Sequence, residues 1–437
     1  MHVRIAARPH YRNVKAREPF RDGECGRKVT AASHGCRALD AMIAAVSGPG
    51  APEVVLFILD AGGGHRSAAN ALVAAAEARG CPWRFRIVSL QEVLAPLDFV
   101  RRLSGRPSEQ TYNAMVRGRQ TLFLVPMLRA FQWLIRLRRS TLCDLLAAHL
   151  GERPPHLVIS LIPNFNGVIR DAVRRCRPET PFFVLLTDFA DFPPRFWMEP
   201  GVDRVIVGSE HAVAQALEAG LPPESVTRTS GMVLHPRFYP RPGPEVRARV
   251  RGELGLDEAA FVALILFGGK GSPEIHALSE ALLHEPGAAS VIAICGDNPP
   301  LYRSLEEVER GAGGRLRRVG FTDHVSEYLS ACDVLVTKPG PGSLAEAFHQ
   351  QVPMVVACNA HTIPQERYNA RIVQEGGLGV AVRRWREMPA AVTALRGDPE
   401  RLDGYRRRLA ALPPNRAVFE VLDLVERTLE AANVRRA

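Results

Sequence analysis

The run Lys338-Pro339-Gly340-Pro341-Gly342-Ser343-Leu344-Ala345-Glu346-Ala347 carries the clearest chemical signal in this chain. Apolar, strand-like stretches flank it at 331–337 and 353–357, so a glycine-rich turn passes from a strand into a helix start. Such a turn offers unpaired backbone N–H groups and the positive end of a helix dipole to an anion. A carboxylate at Glu346 would repel phosphate, and it suits instead the hydroxyls of a sugar diol. A phosphate seat beside a diol acceptor is what a nucleotide sugar requires.

Further strand-end loops hold chemistry of the same kind. In Gly62-Gly63-Gly64-His65 the glycines permit close backbone approach, and a helix N-terminus disfavours the imidazolium of His65, keeping a base able to take a proton. Asp188, in Thr187-Asp188-Phe189, stands at a strand end, where a carboxylate orients a hydroxyl or a histidine. Asp191 follows, but the two do not form the alternating carboxylate pair that holds a metal, and no metal site is expected. The loop Gly268-Gly269-Lys270-Gly271-Ser272 lacks the ending of a P-loop because Pro273 follows it. It gains weight beside the 338–343 loop. Gln365, Glu366 and Asn369 open a later helix on roughly one face and suit sugar hydroxyls.

Alternating elements must position these residues. Apolar strand-like runs at 54–60, 85–89, 156–160, 181–186 and 204–207 alternate with helical patterns, as do runs at 261–267, 290–295, 316–321, 334–336 and 354–356. The proline-rich stretch 236–244 separates the two sets. Two successive doubly wound α/β halves follow, with a site in the crevice at the carboxyl ends of their strands. The expected divisions are a poorly ordered extension at 1–50, a first domain at 51–232, a linker at 233–250, a second domain at 251–410 and a terminal helix at 411–437.

Composition narrows the classes. The chain has 437 residues, 46% hydrophobic and 23% charged, and a net charge of +10. This is a globular composition with room for two or three domains. No apolar stretch reaches the ~18 residues of a membrane span, and arginines interrupt the start where a signal peptide would need an apolar run. The eight cysteines form no CxxC pair and read as reduced thiols. The positive charge suits phosphorylated molecules or an anionic membrane. No nucleic-acid-binding signature is present, and no nucleic-acid partner is expected. From 111 to 143 no acidic residue occurs, while Arg117, Arg119, Arg129, Arg136, Arg138 and Arg139 alternate with apolar residues that include Phe131 and Trp133. A basic amphipathic helix of this kind reads as a membrane-surface element.

Across about 54–385 these motifs, with Val319-Gly320-Phe321 and Pro364-Gln365-Glu366-Arg367-Tyr368-Asn369, make the chain resemble the family-28 inverting glycosyltransferases. The likeness is strongest to monogalactosyldiacylglycerol synthases and bacterial diacylglycerol glycosyltransferases. The resemblance implies a GT-B fold of two Rossmann-like domains, with the UDP-sugar in the second and a lipid acceptor on the first. It implies that Gly268, Gly269, Gly340, Pro341, Gly342 and Ser343 border the diphosphate, with Lys270 or Lys338 to meet its charge. Phe321 and the 320–325 loop would hold uracil, Glu346 the ribose, and Gln365, Glu366 and Asn369 the sugar. His65 would be the base, Asp188 a second catalytic group, and Gly63, Gly64 and Trp197 would lie on the acceptor side. Phe192 stands where the lipid enzymes carry a histidine.

The expected activity is inverting transfer of a hexose from a UDP-sugar to a diacylglycerol-type lipid, without a cofactor, at the cytoplasmic face of a membrane. The alternatives are an N-acetylglucosaminyl transferase acting on a polyprenyl-linked acceptor, a UDP-sugar epimerase, and a non-catalytic nucleotide-sugar-binding protein.

Overall fold

A computed structural model describes residues 51–434 except 60–62, 96–123, 286, 288 and 360–361. These belong to the compact unit Ser47–Ala437; the unit Met1–Val46 lies outside the described residues, as do Cys25, Cys36 and Gly62.

The first sheet contains β1 (Glu53–Ile58), β2 (Arg84–Ser89), β3 (Leu157–Ser160), β4 (Phe182–Leu185), β5 (Arg204–Val207) and β6 (Val226–Arg228), in the order β2-β1-β3-β4-β5-β6. The second contains β7 (Val262–Leu266), β8 (Ser290–Ile294), β9 (Leu316–Val319), β10 (Val334–Thr337), β11 (Met354–Ala357) and β12 (Gly379–Val382), in the order β12-β11-β10-β7-β8-β9. Every pairing is parallel. A parallel sheet is covered on both faces, and the strands accordingly read as continuous apolar runs: all six residues of β1 and all five of β7 are buried.

Two strands escape the sequence pattern. β6 is three residues, Val-Thr-Arg, and β12 is Gly-Val-Ala-Val. Both are edge strands with a single partner, so neither needs a long apolar run.

Strand order reverses between β1 and β3 in the first sheet and between β7 and β10 in the second. Ligands bind at such switch points, beyond the carboxyl ends of the strands. The loop after β1 ends at Gly63, just before His65 in the first turn of the next helix, and the loops after β7 and β10 hold residues 268–270 and 338–340.

The helices that shape the site are α1 (Gly64–Arg79), α2 (Leu124–Leu137), α3 (Arg139–Glu152), α4 (Asn166–Cys176), α5 (Glu210–Glu218), α6 (Pro341–Gln350), α7 (Pro364–Glu375) and α8 (Ala417–Val434). The last of these leaves the second half and lies on α1. Its buried Ala417, Val418, Val421, Leu422 and Val425 form one helical stripe. Arg79 reaches Glu426 at 3.0 Å and also pairs with Asp423. Cys143, Cys295 and Cys332 are buried, and no disulfide links the described cysteines. Burial pushes the Cys332 thiol up to about 12 and Cys295 to about 11, which keeps both protonated.

Candidate functional site

At the second switch point, Gly268 takes φ +78° and Gly340 caps α6, with Pro341 at the first helical position. Lys338 lies between the two loops. Its Cε is 3.9 Å from where a Cβ on Gly268 would stand and 3.6 Å from one on Gly340. Its ammonium faces the buried Glu366 carboxylate at 3.6 Å. Asn369 Nδ2 donates to the Pro339 carbonyl at 2.8 Å, tying α7 to the same loop. The carbonyl oxygens of Gln365 and Asn369 are buried with no donor among the described residues. A buried acceptor left so is costly, and a ligand hydroxyl or a water would satisfy it. Lys338, Gly340, Gln365, Glu366 and Asn369 therefore converge. Lys270 does not join them: it is exposed and faces Asp297 at 3.3 Å. Phe321 is 68% exposed. Gly342 is exposed and Ser343 half-buried at the start of α6.

Glu346 lies in the second turn of α6 and lines a cleft between the two halves. Gly64, Ser67, Thr187, His235, Arg237, Thr322 and Asp323 line the same cleft. Loss of water pushes the Glu346 carboxyl up to about 7, and the Arg237 charge opposes that rise. Arg237 was not a sequence candidate, because its segment reads as a linker. The signal available was topological, since a connector between two halves must border the crevice they enclose. Its guanidinium donates to the Asp323 carbonyl at 2.9 Å and to the carboxylate at 2.5 Å.

At the first switch point, Gly63 takes φ +86° and caps α1, where His65 sits. His65 Nδ1 is 3.2 Å from the Leu59 carbonyl. A carbonyl only accepts, so Nδ1 carries the proton and the basic lone pair belongs to Nε2. The imidazole stands edge-on to Trp197, with ring centroids 6.0 Å apart. Trp197, expected to border the acceptor, is fully buried. The ring packs against His65, and its N–H donates to Asp188 Oδ2 at 3.1 Å. Burial pushes Asp188 up to about 7; the Trp197 bond lowers it, and the negative charges of Glu366 and Asp191 add to the rise.

Asp191 explains how Trp197 is held. Its carboxylate accepts N–H bonds from Arg195 at 3.0 Å, Phe196 at 3.0 Å and Trp197 at 2.8 Å. Burial raises it to about 6 against those bonds. Gln215 of α5 accepts from its N–H and donates to its carbonyl. In the sequence Asp191 stands out only as a neighbour of Asp188, and its role as a loop clasp needs the fold. Phe192, in the same loop, is 39% exposed.

Residues 111–123 of the acid-free run lie outside the described residues. The remainder includes α2, which exposes Phe131, Trp133, Leu134 and Leu137, with Trp133 at 63%. Arg129, Arg136 and Arg138 are exposed beside them. Arg139 is different: it is half-buried and donates to Asp171 of α4 at 2.7 Å, so it holds α3 to α4 and does not belong to the basic face. Gln132 of α2 donates to Asn164 Oδ1 at 2.9 Å, in the loop after β3, where Asn164 takes φ +69°. Asn164 N–H in turn donates to the Phe196 carbonyl at 2.7 Å. Among the described residues no His, Cys, Asp or Glu side chains cluster in a group able to hold a metal.

No protein-family model matches the chain. It is similar to the probable monogalactosyldiacylglycerol synthase of Nicotiana tabacum, with 28% identity over 341 residues, 75% of this chain and 61% of that protein. It is similar to the processive diacylglycerol beta-glucosyltransferase of Bacillus pumilus, with 25% identity over 303 residues, 69% of this chain and 75% of that protein. Among solved structures, MurG of Acinetobacter baumannii superposes with a TM-score of 0.55 at 13% identity, covering 86% of this chain and 100% of that one. That likeness concerns the fold, which is GT-B.

Proposed function

We propose, on the premise that this chain is a homologue of the monogalactosyldiacylglycerol synthases and diacylglycerol glucosyltransferases, that it moves a hexose from a UDP-sugar to a diacylglycerol-type lipid with inversion. One observation carries the reading. A single cleft is lined from one side by Gly64, Ser67 and Ala68 at the start of α1, and from the other by Pro341, Gly342 and Glu346 at the start of α6. The helix start that carries His65 and the start of α6 thus border the same space.

In this reading the UDP diphosphate lies at the start of α6, where the backbone N–H groups, the helix dipole and Lys338 meet its charge. Glu346 accepts the ribose hydroxyls. Gln365, Glu366 and Asn369 take the hexose, whose hydroxyls would supply the donors that the two buried carbonyl oxygens lack. His65 Nε2 removes the proton of the acceptor hydroxyl as its oxygen attacks the anomeric carbon, and the C–O bond to UDP breaks with its electron pair leaving on the phosphate. Trp197 and Asp188 fix the imidazole's surroundings. No metal is needed where a helix start and a lysine meet the leaving charge.

The acceptor arrives through α2, whose aromatic and aliphatic side chains enter the bilayer surface while Arg129 and Arg136 meet anionic headgroups. No helix among the described residues is long and apolar enough to cross a membrane. The reading places the enzyme peripherally on the cytoplasmic leaflet, where UDP-sugars are available.

The direct test is incubation of purified protein with UDP-galactose, UDP-glucose or UDP-N-acetylglucosamine and vesicles containing diacylglycerol, followed by analysis of the extracted lipid. A hexosyl-diacylglycerol is the expected product. Absence of any glycolipid with all three donors refutes the reading.

A further inference from the structure

We propose that Arg237 is a donor-positioning residue, which holds the 322–325 loop and faces Glu346 so that a uridine nucleotide is gripped from the connector as well as from the second half. The proposal rests on the reading of this cleft as the UDP-sugar seat and adds to it a residue from outside both sheets.

Arg237 lies in the short 3₁₀ turn Pro236–Phe238, between the last strand of the first sheet and the first strand of the second. Phe238 beside it is buried, which anchors the turn. Arg237 Nη1 donates to both the Asp323 backbone carbonyl and its carboxylate. One side chain thereby fixes both the main chain and the side chain of a loop that borders the cleft. The groups lining this cleft that titrate or bear charge are His235, Arg237, Asp323 and Glu346. Burial and the neighbouring Arg237 lower His235, which holds it neutral at neutral pH. His235 Nδ1 also accepts the Arg237 backbone N–H at 3.3 Å, so its proton sits on Nε2. Arg237 is therefore the full positive charge among the groups lining this cleft; it is bonded to the Asp323 carboxylate and shares the cleft with Glu346. Glu346 accepts ribose hydroxyls best as the carboxylate, and Arg237 is the group that favours that form.

A structural anchor and a donor-positioning residue differ in what pH does. UDP binding should be measured by calorimetry between about pH 5.5 and 8.5 for the wild type, R237A and R237K, with thermal melts to establish folding. In R237A, UDP affinity near pH 7 should fall about tenfold, the loss expected for bonds to a charged group. Its weakening toward acid should also begin at higher pH, because Glu346 protonates more easily. R237K restores the charge without the planar fork. It should return the pH dependence to the wild-type position while recovering only part of the affinity. Unchanged affinity in R237A, or a loss with no displacement of the pH profile, overturns the proposal. If R237A fails to fold, R237K and R237Q decide it by the same two readouts. Absence of UDP binding by the wild type refutes the donor reading itself and is seen before any variant is compared.

Discussion

The two switch points share an architecture and differ in how their chemistry is assembled. At the second, most of the candidate seat is local: residues 338–346 supply the loop, the helix start and Glu346, while the Gly268 turn, Arg237 and α7, tied through Asn369, join it from elsewhere. At the first, His65 comes from the start of α1, Asp188 and Trp197 come from the segment between β4 and β5, and the Asp191 carboxylate holds Trp197 by its backbone. The difference suits the tasks. Binding a nucleotide needs donors aimed at fixed charge, which a helix start provides by itself. Moving a proton needs one side chain held in one tautomer at one position, which takes a surrounding shell.

Substitutions at each switch point should therefore fail differently. The largest effect is expected from His65→Ala. Turnover should fall about 10²–10⁴-fold, while UDP affinity measured by calorimetry stays within about twofold, since the proton moves only in the transition state. Turnover surviving within a few-fold would shift the base to Asp188 and erase the contrast between the two sites.

Glu346→Ala comes next and should show the reverse pattern. UDP affinity should fall about 10- to 100-fold through lost bonds to a charged acceptor. Because burial raises this acid to about 7, its carboxylate form is gained as pH rises through that value. Wild-type UDP binding should thus weaken as pH falls from about 8 to 6, and Glu346→Gln should flatten that dependence. A pH profile identical in the wild type and Glu346→Gln would remove Glu346 from the seat.

A smaller effect belongs to the face on α2. Arg129→Ala or Arg136→Ala should each lower partitioning onto anionic vesicles about fivefold, from ~1 kcal/mol per basic residue, and leave UDP binding untouched. Flotation assays at low and high salt read both the screened electrostatic part and the apolar part carried by Trp133. If the wild type floats no better than a soluble control, the acceptor does not reach the cleft from a bilayer. The smallest effect concerns metal: EDTA should change glycosyl transfer by less than about twofold if the dipole and Lys338 meet the leaving charge. Loss of activity restored only by Mn²⁺ would replace that account.

Legibility followed chain distance. The strands and the 338–347 run were readable because hydrophobic period and loop chemistry are local properties. Glu346 could be placed beside the 338–343 loop from spacing along one helix. Arg237 could not, since its role depends on Asp323, which lies 86 residues away. Trp197 was placed near the acceptor by motif, but its complete burial follows from the Asp191 clasp, which no spacing shows. The arginines of 129–139 looked alike in sequence. Only the fold separates Arg139, bound to Asp171, from those facing outward.

The return of α8 to the first half means that the peptide passes between the halves twice. The passages lie side by side: Asn415 Nδ2 donates to the Met232 carbonyl at 2.9 Å, and Arg416 N–H donates to Ser230 Oγ at 2.7 Å. A body hung on one flexible tether can swing and twist in any direction, whereas two tethers fastened at one place leave rotation about that place as the easy motion. Any relative motion of the halves would then turn about that place, where the two passages are bonded to each other. Gly231 sits at the pivot, and a Cβ there would stand 2.7 Å from Asn415 Nδ2. An alanine there would push the Asn415 amide from its place and disturb its bond to the Met232 carbonyl.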